Sequence, residues 1–300
     1  MTAPPTPPVT VAEAWQAGRE HLAAGGIDEA AITAEVLLRH TLGCSRTEVY
    51  LAWDRPIDGA AFARYRAHLD ERLRGRPVAY ITGHREFMGL DFLVDERVLI
   101  PRPETETLVE AVLDVTAGLA APRIADIGTG CGAIAVSLAV ALPAAALVAT
   151  DLSPDALEVA RANARRHGVA DRLRFLEGDL LEPIAAEGRR LDVVASNPPY
   201  LSPEERARLP REIRDFEPAR ALIAPGHGES VHARLVRDAP RVLAPGGWLL
   251  METAAGRAPR VVELFERAAR YAEVRTRQDG LGWERVVAGR VTPDGSEASF

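Results

Sequence analysis

Two stretches of the sequence gather residue types that do chemistry together. One is Ser196, Asn197, Pro198, Pro199 and Tyr200, which ends the apolar run 191–195. A plain turn leaving a strand needs no second proline, which removes another backbone donor and stiffens the segment in an extended form. Asn197 offers a carboxamide oxygen, and Pro198 offers a backbone carbonyl with no N–H beside it. Two acceptors side by side suit a planar –NH₂ group. Holding both of its hydrogens turns the nitrogen lone pair, delocalised in the free molecule, toward an electrophilic methyl group in line with a sulfur leaving group. That is catalysis by positioning. It needs no strong base beforehand, because the nitrogen becomes acidic as its bond to carbon forms. Pro199 fixes the loop, and Tyr200 can lay its ring against the planar group.

The other stretch is DIGTGCGAIA, residues 126–135, between an apolar strand pattern and a helical one. Gly128, Gly130 and Gly132 let the backbone turn sharply and approach a ligand that a Cβ would block. Open α/β sheets place ligands at this point, where a strand's carboxyl end meets a helix. The letters also scan as G-x-G-x-x-A, a loose dinucleotide fingerprint, so a nicotinamide cofactor competes with the phosphate-free sulfonium S-adenosylmethionine. A tight turn with no ligand is the plainest reading, but three alternate glycines lose more backbone entropy than a packing turn requires. Asp151 ends the next strand pattern, where a carboxylate accepts hydrogen bonds from both ribose hydroxyls of an adenosine-containing cofactor. Asp155, in DLSPDAL, is a candidate helix cap nearby. Asp179 ends the third pattern, and contact with an adenine amino group and capping of the next helix fit it equally.

These residues need a frame. Residues 11–74 carry apolar positions at three- and four-residue spacing in three runs closed by Gly25-Gly26, Gly43 and Gly75, the pattern of a small helical bundle. Residues 76–104 hold short β-prone stretches separated by Gly83 and Gly89, which predict a connecting β-hairpin. From Thr105 a helix runs to about Leu119, and strands then alternate with helices at 123–128, 146–151, 172–179, 191–196, 246–253, 272–278 and 284–290. The alternation predicts an α/β fold with a doubly wound, seven-stranded sheet over 105–290. Residues 1–10 read as a disordered lead and 291–300 as a flexible tail.

The bulk properties are those of a soluble protein: 47% hydrophobic and 26% charged residues over 300 positions. A net charge of -7 argues against a sequence-independent grip on nucleic acid, although a local basic patch fits within it. Cys44 and Cys131 lie far apart and in no metal-ligand spacing, which suits a reducing compartment and apolar filling. The run 133–150 is uncharged but mostly alanine and contains Pro143, so it reads as a helix and a buried strand rather than a membrane span. No signal peptide is evident, and a cytoplasmic location follows.

The stretches around these motifs carry a resemblance. NPPY after the fourth strand and DIGTGCG after the first resemble S-adenosylmethionine-dependent methyltransferases that act on planar amino groups. The segments RPVAYITGHREFMGLDFLVDERVLIPRPETETLVE, FEPARALIA, SRTEVYLAWDRPI and RVVAGR resemble the HemK/PrmC family, the protein-(glutamine-N5) methyltransferases of peptide chain release factors. The likeness runs from about Val11 to Arg290. It implies a class I methyltransferase sheet, S-adenosyl-L-methionine as cofactor, and a helical domain over 11–75 that docks the release factor. It implies cofactor contacts from Gly128, Thr129, Gly130, Cys131, Gly132, Asp151, Asp179, Leu180 and Asn197. Asn197, Pro198, Pro199 and Tyr200 would hold the glutamine of a Gly-Gly-Gln motif. Two positions depart from the pattern: METAAGRA stands where the family often has Glu-x-Gly and a nearby Gln, and Leu180 stands where relatives are often aromatic.

Competing functions divide on the same residues. An amino-methyltransferase acting on a base of RNA or DNA predicts a basic cleft wide enough for a flipped base, against which the acidic balance counts. A nicotinamide oxidoreductase uses the glycine loop and leaves NPPY without a purpose, and a silent binding module would tolerate loss of Asn197. Phe87 and Phe92 read as hairpin core. Arg102 and Glu104 read equally as a surface ion pair and as pocket lining, and REIRDFEPAR as a solvated face or as an exposed loop beside the pocket that meets a partner. The seven histidines pair with no nucleophile and show no metal spacing.

Overall fold

Local capping signals start the N-terminal helices. Thr10 and Ser45 each form a reciprocal box with the glutamate three residues on, opening α1 (Val11–Ala24) and, after α2 (Ala30–Leu42), the short α3 (Arg46–Leu51). Asp58 accepts from the Ala61 N–H at 3.3 Å and starts α4 (Gly59–Leu73). Leu22, Leu37, Leu38 and Tyr65 form a fully buried centre, with the Tyr65 hydroxyl donating to the Ala34 carbonyl at 3.1 Å. A Cβ at Gly18 would fall 1.9 Å from that hydroxyl, so the glycine makes room for the ring. In this computed structural model, which describes residues 9–224 and 229–293, the helices belong to one compact unit of residues up to 83 plus 211–216. Residues 84–210 and 217 onward form a second unit.

The first unit departs from the sequence reading in three places. Among the described residues it has five helices before Gly83 rather than three. Residues 78–82, expected to be β-prone, form α5 (Val78–Thr82), because Pro77 sets the start, Gly83 ends it at φ +76° and the Thr82 hydroxyl bonds back to the Val78 carbonyl. Val9 and Thr10, placed in a disordered lead, are ordered: the Val9 carbonyl accepts from the Ile57 N–H at 2.8 Å. The rest of that lead lies outside the described residues.

The second unit begins with a hairpin, β1 (His84–Phe87) and β2 (Leu90–Leu93), whose Phe87 and Phe92 are buried edge to face, as hairpin core. After α6 (Glu106–Thr116) come β3 (Arg123–Ile127), α7 (Ala133–Ala141), β4 (Ala146–Asp151), α8 (Pro154–Arg166), β5 (Leu173–Glu177), the short α9 (Glu182–Ala185) and β6 (Leu191–Ser196). Three short helices follow, α10 (Pro203–Ala207), α11 (Arg211–Phe216) and α12 (Ala219–Leu222), of which α11 belongs to the first unit. There Glu212 pairs with Arg72 at 2.8 Å. The chain ends with α13 (Ser230–Asp238), β7 (Leu243–Glu252), α14 (Ala258–Ala268), β8 (Tyr271–Gln278) and β9 (Glu284–Val291). The uncharged run 133–150 is thus a buried helix and a buried strand. Among the described residues no helix is long and apolar enough to cross a membrane. The tail expected from 291 is ordered at its start, where Val291 pairs with Tyr271 and Thr292 is buried; residues 294–300 lie outside the described part.

The seven strands lie in the order β5-β4-β3-β6-β7-β9-β8, parallel from β5 to β7 and antiparallel for β9 and β8. This is the doubly wound sheet of a class I methyltransferase. The chain fills one side of β3 with β4 and β5, then crosses to the other with β6 and β7. The winding therefore reverses between β3 and β6, where crevices form at strand carboxyl ends. Ile127 and Ser196 are in register, tied by the Ser196 hydroxyl donating to the Ile127 carbonyl at 2.7 Å. The glycine loop and the Asn-Pro-Pro-Tyr segment thus leave adjacent strands at the same level.

Candidate active site

The glycine loop is shaped by backbone conformation and pinned by carboxylates. Gly128, Gly130 and Gly132 have φ of +72°, +56° and +85°, the left-handed region that side chains disfavour. A Cβ on Gly128 or Gly130 would meet nothing within 4 Å, whereas one on Gly132 would press on Ala160 at 3.2 Å. The first two glycines therefore border open space and the third packs against α8. The Gly128 and Thr129 amides both donate to the Thr150 carbonyl, at 2.8 and 2.9 Å. Asp126, fully buried, accepts through Oδ2 from the Thr129 hydroxyl at 2.6 Å and the Ala135 amide at 3.1 Å, while its Oδ1 has no partner. Burial pushes its pKa up to about 7 against the pull of those two bonds, with the Asp151 charge adding to the rise.

Asp151 accepts from the Gly130 amide and the Ser153 amide, both at 2.9 Å, which fixes its carboxylate at the lip of the loop. Burial raises its pKa; the Ser153 and Gly130 amides and the Arg220 charge work against that rise. The cap of α8 is Ser153, accepting from the Ala156 amide, and not Asp155: a hydroxyl just before Pro154 reaches the third amide of the helix. Cys131 is buried, with its thiol pushed up to about 12 by desolvation, and its carbonyl accepts from Asn163 Nδ2 at 2.9 Å. Asn163, with no exposed surface, also exchanges two hydrogen bonds with the Leu93 backbone, at 2.8 and 3.0 Å. One side chain thus clamps the glycine loop to the hairpin. Asn163 was missed in the sequence; its signal is a polar residue within the buried stripe Val159, Ala160, Ala164 of α8.

Past β6, Asn197 is half-buried; its Nδ2 donates to the Thr105 hydroxyl at 3.1 Å, and its amide favours the charged form of the neighbouring Glu252 carboxyl. With its NH₂ turned toward Thr105, the amide leaves Oδ1 as its free acceptor, next along the chain to the Pro198 carbonyl. Glu252 is 2% exposed; burial and the Glu104 charge raise its pKa to about 7 against Thr105, Arg285 and Asn197, and its Oε2 has no partner. Tyr200 is held through its carbonyl, which accepts from Arg257 at 2.6 Å, and its ring centroid lies 6.5 Å from that of His232. Burial, then the Glu252 charge, raises the Tyr200 hydroxyl pKa, so it stays protonated. Burial lowers the His232 pKa; its Nε2 donates to the Glu252 carbonyl at 2.8 Å.

Other expectations are redrawn. Arg102 pairs not with Glu104 but with Glu217, which is buried and also accepts from the Ile100 amide at 3.3 Å. The end of REIRDFEPAR is therefore no solvated face. Asp179 caps no helix: its side chain pairs with Arg234 at 2.6 Å and, with Leu180, lines a cavity of about 200 Å³ under α13. Leu180 sits at φ +50°, its carbonyl accepting from the Thr150 hydroxyl at 3.0 Å and its side chain packed on the core. The structure thus gathers Gly128, Thr129, Gly130, Cys131, Gly132 and Asp151 at the end of β3 and β4, with Asn197, Pro198, Pro199 and Tyr200 beside them. It adds Asp126, Thr105 and Glu252, which no sequence spacing brings together.

Three nearby arginines have carboxylate partners of their own, Arg102 with Glu217, Arg257 with Glu205 and Arg285 with Asp279, while Arg220 adds its charge at Asp151. Asp126 and Glu252 meanwhile keep buried oxygens unpartnered. The cleft therefore suits a cationic, phosphate-free ligand and not the pyrophosphate of a dinucleotide.

Comparison with known proteins identifies relatives of this chain. Residues 13–83 match the PrmC N-terminal domain and residues 103–215 the methyltransferase small domain. The chain is 44% identical over 260 residues to a protein of Chlorobaculum tepidum named release factor glutamine methyltransferase, covering 84% of this chain and 87% of the relative. A protein of the same name from Koribacter versatilis is 38% identical over 282 residues, covering 94% and 99%. Among solved structures, the hMettl16 catalytic domain in complex with MAT2A 3'UTR hairpin 1 shares the fold, with a TM-score of 0.56 at 18% identity, over 81% of this chain and 84% of that one.

Proposed function

Because the chain belongs to the release factor glutamine methyltransferase family, we propose that it methylates the side-chain amide nitrogen, N5, of the glutamine in the Gly-Gly-Gln motif of peptide chain release factors. The observation that carries this reading is the orientation of Asn197. Its Nδ2 donates to Thr105, beside the buried Glu252 carboxyl, so Oδ1 and the Pro198 carbonyl form the paired acceptors that a planar –NH₂ requires.

S-adenosyl-L-methionine, when bound, supplies an electrophilic methyl group on a positively charged sulfur. The residues fit it: the open Cβ positions of Gly128 and Gly130 make room, and the orphaned Asp126 Oδ1 is an acceptor for a cationic amino group. Thr129, Cys131 and Gly132 hold the loop in shape. Asp151, already oriented by two amides, takes the ribose hydroxyls, and Asp179 and Leu180 border the adenine end. Asn197 and Pro198 orient the glutamine amide and draw its hydrogens away from the attacking lone pair. Pro199 keeps their backbone rigid, and the protonated Tyr200 lines the slot. No side chain here acts as a strong base, because the hydrogen-bonded nitrogen loses its proton only as the new bond forms. The helical unit is the surface that docks the release factor.

The test is transfer of labelled methyl from S-adenosylmethionine to a release factor and to its Gly-Gly-Ala variant. Label is expected on the first alone, and Asn197→Ala is expected to abolish transfer while cofactor affinity stays within a few-fold. Equal labelling of both substrates, or label only on RNA or DNA, would overturn the substrate assignment; near-normal turnover by Asn197→Ala would remove that residue from the mechanism.

A further inference from the structure

We infer that Glu252 is a positioning residue for the methyl transfer: its buried carboxylate, with Thr105, locks the Asn197 carboxamide so that Oδ1 alone faces the substrate. This deepens the proposed function and rests on it.

The lock follows from topology and from what each group can donate. Glu252 is the last residue of β7, and Met251 lies opposite Ser196 on β6, so Glu252 and Asn197 leave adjacent strands side by side. Thr105 reaches them from the segment before α6. An ionised carboxylate only accepts. The Thr105 hydroxyl and the Asn197 amide, which both favour its charged form, therefore turn hydrogens toward it, and the Asn197 NH₂ donates to Thr105 Oγ1. The carboxamide then has one orientation, NH₂ inward and oxygen outward. Rotated by half a turn, it would set an oxygen against the carboxylate and present two donors to a substrate amide that itself needs acceptors.

Glu252 is well placed to change state. The groups around its carboxyl are the Glu104 carboxylate, Arg285, the Tyr200 hydroxyl, Thr105 and Asn197; His232 bonds to its backbone carbonyl and Arg285 already pairs with Asp279 at 2.8 Å. Burial and Glu104 hold the carboxyl close to neutrality, at about 7. A protonated carboxyl gains a donor. It can then face the Asn197 oxygen as readily as its NH₂, and the inverted, inactive amide becomes populated. Turnover would fall with pH through neutrality while cofactor binding stayed intact. A glutamate serving only the fold would affect stability without any proton-linked change at Asn197.

Two measurements on the full chain decide the matter. In the first, the side-chain amide resonances of Asn197, identified by their loss in Asn197→Asp, are followed by NMR as pH is raised through neutrality in the substrate-free protein. They are expected to track a single ionisation in the wild type and to ignore pH in Glu252→Gln. In the second, labelled methyl transfer to a release factor is measured above neutral pH. Glu252→Gln should lower kcat by roughly 10- to 100-fold, the worth of one hydrogen bond to a charged group, with the KM for S-adenosylmethionine unchanged. Thr105→Val should lower kcat likewise, and Thr105→Ser should restore it. Asn197 resonances indifferent to both pH and Glu252→Gln would overturn the lock, whatever the enzyme methylates. Resonances that titrate in a protein unable to methylate a release factor would leave the lock standing and refute the substrate assignment.

Discussion

Replacing Asp126 with asparagine should stabilise the ligand-free protein at alkaline pH and destabilise it in acid. The carboxyl is fully buried, and its pKa is raised from 3.8 to about 7 chiefly by desolvation. Between those values the folded protein keeps a proton that the unfolded chain has released, so stability falls as pH rises across the window. The contribution of the neutral carboxyl is complete below 3.8 and gone above about 7. A difference of about three units corresponds to roughly 4 kcal/mol lost by the wild type at about pH 8. Asparagine keeps an oxygen for the Thr129 hydroxyl and the Ala135 amide, but it places an NH₂ where Oδ1 had no partner. An unsatisfied buried donor costs about 1–3 kcal/mol. The variant should therefore gain about 1–3 kcal/mol at about pH 8 and lose a similar amount at about pH 4. Urea unfolding of both proteins at the two pH values measures this directly. S-adenosylmethionine affinity should fall at the same time, since the orphaned oxygen is the acceptor assigned to its amino group. Equal destabilisation at both pH values would mean that burial of charge is not what governs Asp126.

Gly132→Ala combines a left-handed φ of +85° with a Cβ 3.2 Å from that of Ala160; a loss of about 1–3 kcal/mol in thermal unfolding is expected, with cofactor affinity weakened by displacement of the loop. Arg102→Ala removes the cation held against Glu217, whose side chain is 1% exposed, and should destabilise the protein by roughly 3 kcal/mol. Adding Glu217→Gln to that variant should recover much of the loss by removing the buried charge, and unfolding midpoints that fail to recover would show that the pair is not what holds this segment.

The sequence revealed what was local. Three alternate glycines after an apolar strand and two prolines after an asparagine are signals carried within a few residues, and the central strands β3, β4, β6 and β7 each announced themselves by an apolar run. What stayed hidden was non-local. Thr105, Asn197 and Glu252 come from three distant segments and meet only because β6 and β7 are neighbours and α6 begins above them. Asp179 looked equally suited to adenine and to a helix cap because its partner, Arg234, lies 55 residues away on α13. Glu217 looked solvated in a run of charges, yet it is buried with Arg102, which precedes it by 115 residues. Val78, Ile81 and Thr82 carry strand propensity, but Pro77 and Gly83 bracket so short a segment that capping decides it.

The hidden residues share a physical theme that the glycine loop alone does not express. Asp126, Asp151 and Glu252 all have pKa values raised by burial, and they gather at the carboxyl ends of β3, β4 and β7. In the free protein such burial works against folding, since each ionised carboxylate lacks part of its hydration. Arg220 at Asp151 and Arg285 at Glu252 offset it only in part, and Arg102, Arg257 and Arg285 are engaged by Glu217, Glu205 and Asp279. A ligand with positive charge and no phosphate relieves it, and a phosphate-bearing one makes it worse. On the proposed function, selectivity for a sulfonium cofactor over a dinucleotide resides in the unfavourable electrostatics of the free cleft. The glycines that both cofactor classes use supply the space, and the carboxylates decide what fills it.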